Sequence, residues 1–254
     1  MQIGLNKRTV IFRNISAGMF RLLAGAMVFV VLAAASDAPW RGKPYDQWTD
    51  KDLERVFTDS PWTRTTSIIR TWLPITSKDL PDEPIAGRAR GLPGGLDRSA
   101  ETSAGGELNF NIYWASSRVI RAASARRAVL HGQKKDVDVA KYAAEPQSEI
   151  QILIQSQDMT PFVRNDEKFF QANAFLQPHK SKQMISPTHV HYGRDATGRL
   201  VTGAIFFFPK KTVSGDPVVA GDEKDVEFIC KIEGSTLRVG FEPNKMIDQN
   251  GPDL

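Results

Sequence analysis

The chain has 254 residues, enough for one domain with a small appendage, and 24% of them are charged. Its formal net charge of +4 is confined to one end: Lys7, Arg8, Arg13 and Arg21 fall within residues 1–35, which contain no Asp or Glu. The remainder is formally neutral, which excludes the persistent basic bias that a nucleic-acid or anionic-membrane partner selects.

Those basic residues precede an apolar run, Leu22 to Ala35, that ends in Ala33-Ala34-Ala35. A positive flank, about 7–15 apolar residues and a small-residue exit are the marks of a secretory signal peptide. Residues 1–35 are therefore expected to be removed, leaving a chain that starts at Ser36 and works in the periplasm or outside the cell. The run is shorter than the roughly 20 residues that span a bilayer. Membrane attachment is expected only if residues 19–35 remain uncleaved.

Residues 36–76 form a Trp-rich module with Trp40, Trp48, Trp62 and Trp72. Thr49-Asp-Lys-Asp52 is a capping-box pattern and predicts a helix from Asp50 to Phe57. Leu53, Val56 and Phe57 share one face of it, Trp48 can staple its start, and Asp59-Ser60-Pro61 stops it. Two turns of helix do not stand alone in water, so this face must dock on the domain that follows. Residues 77–107 carry Pro81, Pro84, Pro93 and six glycines; they predict a flexible linker with little to bury.

The core is expected over 108–247. Leu108, Phe110, Ile112 and Trp114 alternate with polar residues as a half-buried strand does. Ser116-Ser117 can cap a helix from Arg118 to Leu130, with Gly132 as its C-terminal stop. A short helix at Asp136–Ala143 and a strand around Ile150, Ile152 and Ile154 follow. Further strands are predicted at Ala172–Leu176, Met184–Tyr192, Arg199–Phe208, Asp225–Glu233 and Thr236–Phe241. Hairpin turns are predicted at Asp195–Gly198 and Glu233-Gly234-Ser235, and residues 248–254 are left as a tail. Helices grouped early and strands grouped late make an α+β fold, a small helical layer against a curved antiparallel sheet.

Trp48-Thr-Asp-Lys-Asp-Leu53 followed by Thr58-Asp-Ser-Pro-Trp62 resembles the opening module of a family of exported bacterial proteins of uncharacterised activity. Tyr113-Trp-Ala-Ser116 through Val119 and Phe207-Phe-Pro-Lys210 also look like that family. The resemblance is scattered over residues 40–246. It implies export and a shared fold, and brings no activity, cofactor or catalytic residue.

Several residues invite chemistry. His189-Val-His191 would put two imidazoles on one face of a strand, a spacing that zinc or copper sites use, with His179, Asp195 or Glu227 as candidate third ligands. Asp59, Ser60 and His191 offer the residue types of a hydrolytic triad, although adjacent Asp59 and Ser60 read better as turn residues. Trp48, Trp62 and Trp114 suit either sugar platforms or the core. Arg118, Arg121, Arg126 and Arg127 would make a basic helix surface for an anion. Phe206-Phe207-Phe208 suggests a central strand buried on both faces, and Cys230, alternating with Val226, Phe228 and Ile232, a buried thiol. No catalytic residue and no cofactor is assigned. The sequence favours a non-catalytic exported binding or assembly module with an extracytoplasmic protein or small ligand as partner. The alternative is an extracytoplasmic metalloprotein or hydrolase using His189 and His191.

Overall fold

The computed structural model describes residues 38–74, 106–134 and 136–254. The expected signal peptide, and all of the expected linker except its last two residues, lie outside the described residues. In chain order the first half forms α1 (Pro39–Gly42), a 3-10 turn (Tyr45–Gln47), α2 (Asp50–Asp59), β1 (Thr63–Ile69), β2 (Glu107–Trp114), α3 (Arg118–Leu130) and α4 (Val139–Ala144). Then come β3 (Glu149–Ser156), α5 (Thr160–Arg164), α6 (Glu167–Asn173), β4 (Ala174–Pro178), β5 (His189–Arg194) and β6 (Val201–Pro209). The chain closes with β7 (Val226–Ile232), β8 (Ser235–Phe241), a 3-10 turn (Pro243–Lys245), β9 (Ile247–Asp248) and β10 (Gly251–Pro252).

Period-2 alternation builds two antiparallel sheets, one of order β1-β2-β3-β6-β5 and one of order β4-β7-β8, plus the small β9–β10 pair. Phe110, Ile112 and Trp114 on β2, Ile150, Ile152 and Ile154 on β3, and Phe206 and Phe208 on β6 are all buried. The pairings Ile112↔Ile154 and Ile152↔Phe206 put them on one face of the larger sheet. That face meets the smaller sheet: Phe206 packs on Phe228 with ring centroids 5.6 Å apart, and Trp114 on Phe241 at 5.3 Å. Phe162 and Phe170, on α5 and α6, stack at 5.1 Å and fill the space beside Phe206. The other face carries Tyr113, which Phe57 of α2 covers edge-on at 5.8 Å. Helices, large sheet and small sheet thus make the expected α+β architecture, with a second sheet that the sequence pattern did not separate from the first.

Local signals placed most of the early elements. Thr49 and Asp52 form the reciprocal capping box at the start of α2. The Ser117 hydroxyl accepts from the Ile120 N–H at the start of α3. Gly132 past α3, Gly198 in the β5–β6 turn and Gly234 in the β7–β8 turn all have φ between 68° and 74°, a region that suits glycine. Asp138, rather than Asp136, begins α4 by accepting from the Lys141 N–H.

Other expectations need correction. Thr63–Ile69, to which the sequence pattern assigns no element, is a strand paired along its whole length with β2. Residues 172 and 173 finish α6, so β4 starts two residues later than predicted. Ile185 forms only an isolated bridge to Leu176, and β5 begins at His189. Phe206 and Phe208 are fully buried, but Phe207 points to the opposite face and is only half-buried. β6 is therefore not buried on both sides. Asp248 and Asp253, in the segment read as a tail, are among the buried charged residues.

Candidate functional site

The buried acids lead to the site. Asp248 sits at the end of β9 with a fully buried carboxylate, which is costly without partners. Arg118, the first residue of α3, supplies them: its Nε and Nη2 each donate to one Asp248 oxygen at 2.9 Å, the fork geometry that makes such pairs strong. Tyr45 Oη donates to the same carboxylate, and the Asn250 N–H donates to Asp248 Oδ1 at 2.7 Å, closing the turn between β9 and β10. Arg118 Nη2 reaches on to the Gly251 and Pro252 carbonyls.

Asp253 stands beside this pair and serves the helix. Its oxygens accept the Arg118 and Val119 N–H groups at 2.7 and 3.1 Å, which satisfies orphan donors at the positive end of α3. Its carbonyl accepts from Trp62 Nε1 at 2.8 Å, and the Gln249 N–H donates to the Trp40 carbonyl at 2.9 Å. The last residues thereby lock the Trp-rich module to α3.

The pKa values of the two carboxyl groups are displaced in opposite directions. Burial pushes Asp248 up, but hydrogen bonds from Arg118, Tyr45 and the Asn250 N–H outweigh it and hold its pKa below the ordinary value. Burial dominates at Asp253 and leaves its pKa raised, despite the two backbone N–H bonds and the Arg118 charge. Tyr45 is raised as well, first by burial and then by its bond to Asp248, so its phenol stays protonated and donating.

Above this cluster lies a cleft of about 380 Å³. It is lined by Pro44, Tyr45 and Asp46, by Arg118 of α3, by Ala140 and Ala144 of α4, and by Gln249 and Asn250 of the β9–β10 turn. Of these cleft residues the sequence singles out only Arg118, and that as part of a basic helix surface for an anion. The signal was present in Asp248-Gln-Asn-Gly251, an Asx-type turn sequence, but its neighbours Tyr45 and Arg118 are distant in the chain.

His189 and His191 do project from one face of β5, and both are exposed. His189 lies flat on Phe207, 4.0 Å between ring centres, with Nδ1 3.1 Å from Thr188 Oγ1 and 3.9 Å from Glu149 Oε1. Among the described residues no three His, Cys, Asp or Glu side chains are gathered to hold a metal. The candidate third ligands are engaged elsewhere: His179 Nδ1 with Lys182, Asp195 with its own turn, Glu227 with Arg238. Ser60 and Asp59 precede β1 and His191 is on β5, the two opposite edges of the sheet, so the triad types are not brought together.

The arginines are spent on packing rather than on a free basic face. Arg121 donates to the Ala143 and Glu145 carbonyls and covers Tyr142 at 4.7 Å. Arg126 donates to the Trp48 carbonyl, and Arg127 lies 4.0 Å over the Phe57 ring. Trp48, Trp62 and Trp114 are wholly buried and offer no sugar platform. Cys230 is a buried free thiol whose pKa burial pushes up. Among the described residues no helix is long and apolar enough to cross a membrane. In comparisons with known proteins, no protein-family model, curated protein or solved structure matches this chain.

Proposed function

We propose that the chain is an exported, non-catalytic binding module and that the cleft beside Tyr45 receives its extracytoplasmic ligand. Export is supported by the basic flank, apolar run and small-residue exit of residues 1–35, and by the resemblance carried by Trp48–Trp62. The observation that carries binding over catalysis is the state of the groups below the cleft. Arg118, Asp248 and Asp253 are each committed to one another or to backbone groups. They fix the shape of the cleft and leave its amide-bearing rim to meet a ligand, which is the division of labour that a pre-formed site needs.

The test has two parts. Protein recovered from the extracytoplasmic fraction of expressing cells should begin at or near Ser36. Ligands that raise its melting temperature should be recovered chemically unchanged after prolonged incubation. A full-length chain retained in the cytoplasm contradicts export, and turnover of a bound ligand contradicts the non-catalytic assignment.

A further inference from the structure

The geometry points to a ligand class for this cleft: a small molecule carrying a secondary amide. This rests on the binding-module assignment and adds what the module binds. Charge comes first. The Arg118 guanidinium is bonded to Asp248 on both oxygens and lies 3.7 Å from Asp253, so an anionic ligand would compete with two carboxylates already in place. Asp248 is saturated by Arg118, Tyr45 and the Asn250 N–H, so a cation gains little there. Asp46 is exposed at the rim, where water screens it. The cleft favours a neutral, hydrogen-bonding guest.

Gln249 and Asn250 then specify the kind of hydrogen bonding. Their backbone is fixed by the bonds from Gln249 N–H to the Trp40 carbonyl and from Asn250 N–H to Asp248. Both residues line the cleft and are exposed, and the contact of Asn250 Nδ2 with Tyr45 Oη is long at 3.4 Å. A carboxamide presents a donor and an acceptor side by side, which matches the N–H and C=O of another amide. Ala140 and Ala144 line the same cleft, one helical turn apart on α4 and exposed; their methyl groups add small apolar surface of the kind that an acetyl methyl or an alanine side chain can pack against. The volume of about 380 Å³ suits a dipeptide or a monosaccharide. Peptide backbones and N-acetylated sugars share this amide-plus-methyl chemistry.

Titration of the ¹⁵N-labelled exported protein separates these sources. The ligands are N-acetylalanine methylamide, N-acetylglucosamine, and glucose as a sugar without the amide. At least one amide ligand should shift the Gln249 and Asn250 side-chain signals saturably, and the tighter of the two names the source. Asn250→Ala and Ala144→Leu should each weaken that binding by about fivefold or more, with the backbone spectrum otherwise retained because both positions are exposed. No saturable shift with either amide, or binding unaffected by Ala144→Leu, overturns the amide assignment. Glucose binding as tightly as N-acetylglucosamine and lost in Ala144→Leu overturns the amide assignment alone and keeps the binding module.

Discussion

Replacing Trp62 with Ala examines the join between the Trp-rich module and the rest of the chain. The indole is wholly buried, meets Trp40 edge-on at 5.8 Å and donates from Nε1 to the Asp253 carbonyl at 2.8 Å. A buried tryptophan removes about 200 Å² from water, which at about 25 cal/mol per Å² is about 5 kcal/mol as an upper bound. Core Trp→Ala replacements cost about 3–5 kcal/mol, a large part of the roughly 5–15 kcal/mol that holds a domain folded. Trp62→Phe keeps most of the ring and loses the hydrogen bond, so about 1–2 kcal/mol is expected from the Asp253 carbonyl left without its donor. Urea unfolding of both variants, followed by circular dichroism with the slope checked against wild type, measures the two values. A loss below about 1 kcal/mol for Trp62→Ala would show that the module does not dock through this ring.

Four further outcomes are expected. Thr49→Ala removes the capping box of α2 and should cost about 1 kcal/mol in the same unfolding assay; no change would mean that the cap contributes nothing. Asp248 is held below its ordinary pKa, so its stabilisation is complete above about pH 4 and is lost as pH falls through the lower folded value. Asp248→Asn should therefore be less stable at neutral pH and flatter on the acid side than wild type; equal acid slopes refute the linkage. Gly234→Ala puts a Cβ at φ 68° and 3.1 Å from Thr71 Oγ1, and should lower stability by about 1–2 kcal/mol. Replacing His189 and His191 together with Ala should leave the zinc content of chelator-free protein unchanged, and stoichiometric zinc lost in the variant would restore the metalloprotein alternative.

What could be read from the sequence was local. The α2 capping box, the Ser117 cap, Gly132 and the two hairpin turns each lie within a few residues, and the structure has them all. β1 was missed because Thr-Arg-Thr-Thr-Ser-Ile-Ile shows no apolar alternation; as an edge strand it takes its register from β2. α6 was missed because it is short, although Asp166 accepting from the Phe169 N–H is a cap signal that was there to read. The four arginines of α3 look like a free basic face until their partners are known, and those partners come from Trp48, Phe57, Glu145 and Asp248. The cleft was hidden for the same reason. Tyr45 and Asp248 are 203 residues apart, and nothing within a short window of either announces the other.

Native mass spectrometry of the protein, purified gently from the cells that express it, beside the Ala144→Leu variant, tests the Tyr45 cleft as a binding site. A bound small molecule is expected on the wild-type chain, neutral and amide-bearing by fragmentation, and lost from the variant at equal folding. A wild-type chain that carries nothing, or a guest held equally by both proteins, contradicts the assignment of the Tyr45 cleft as the binding site.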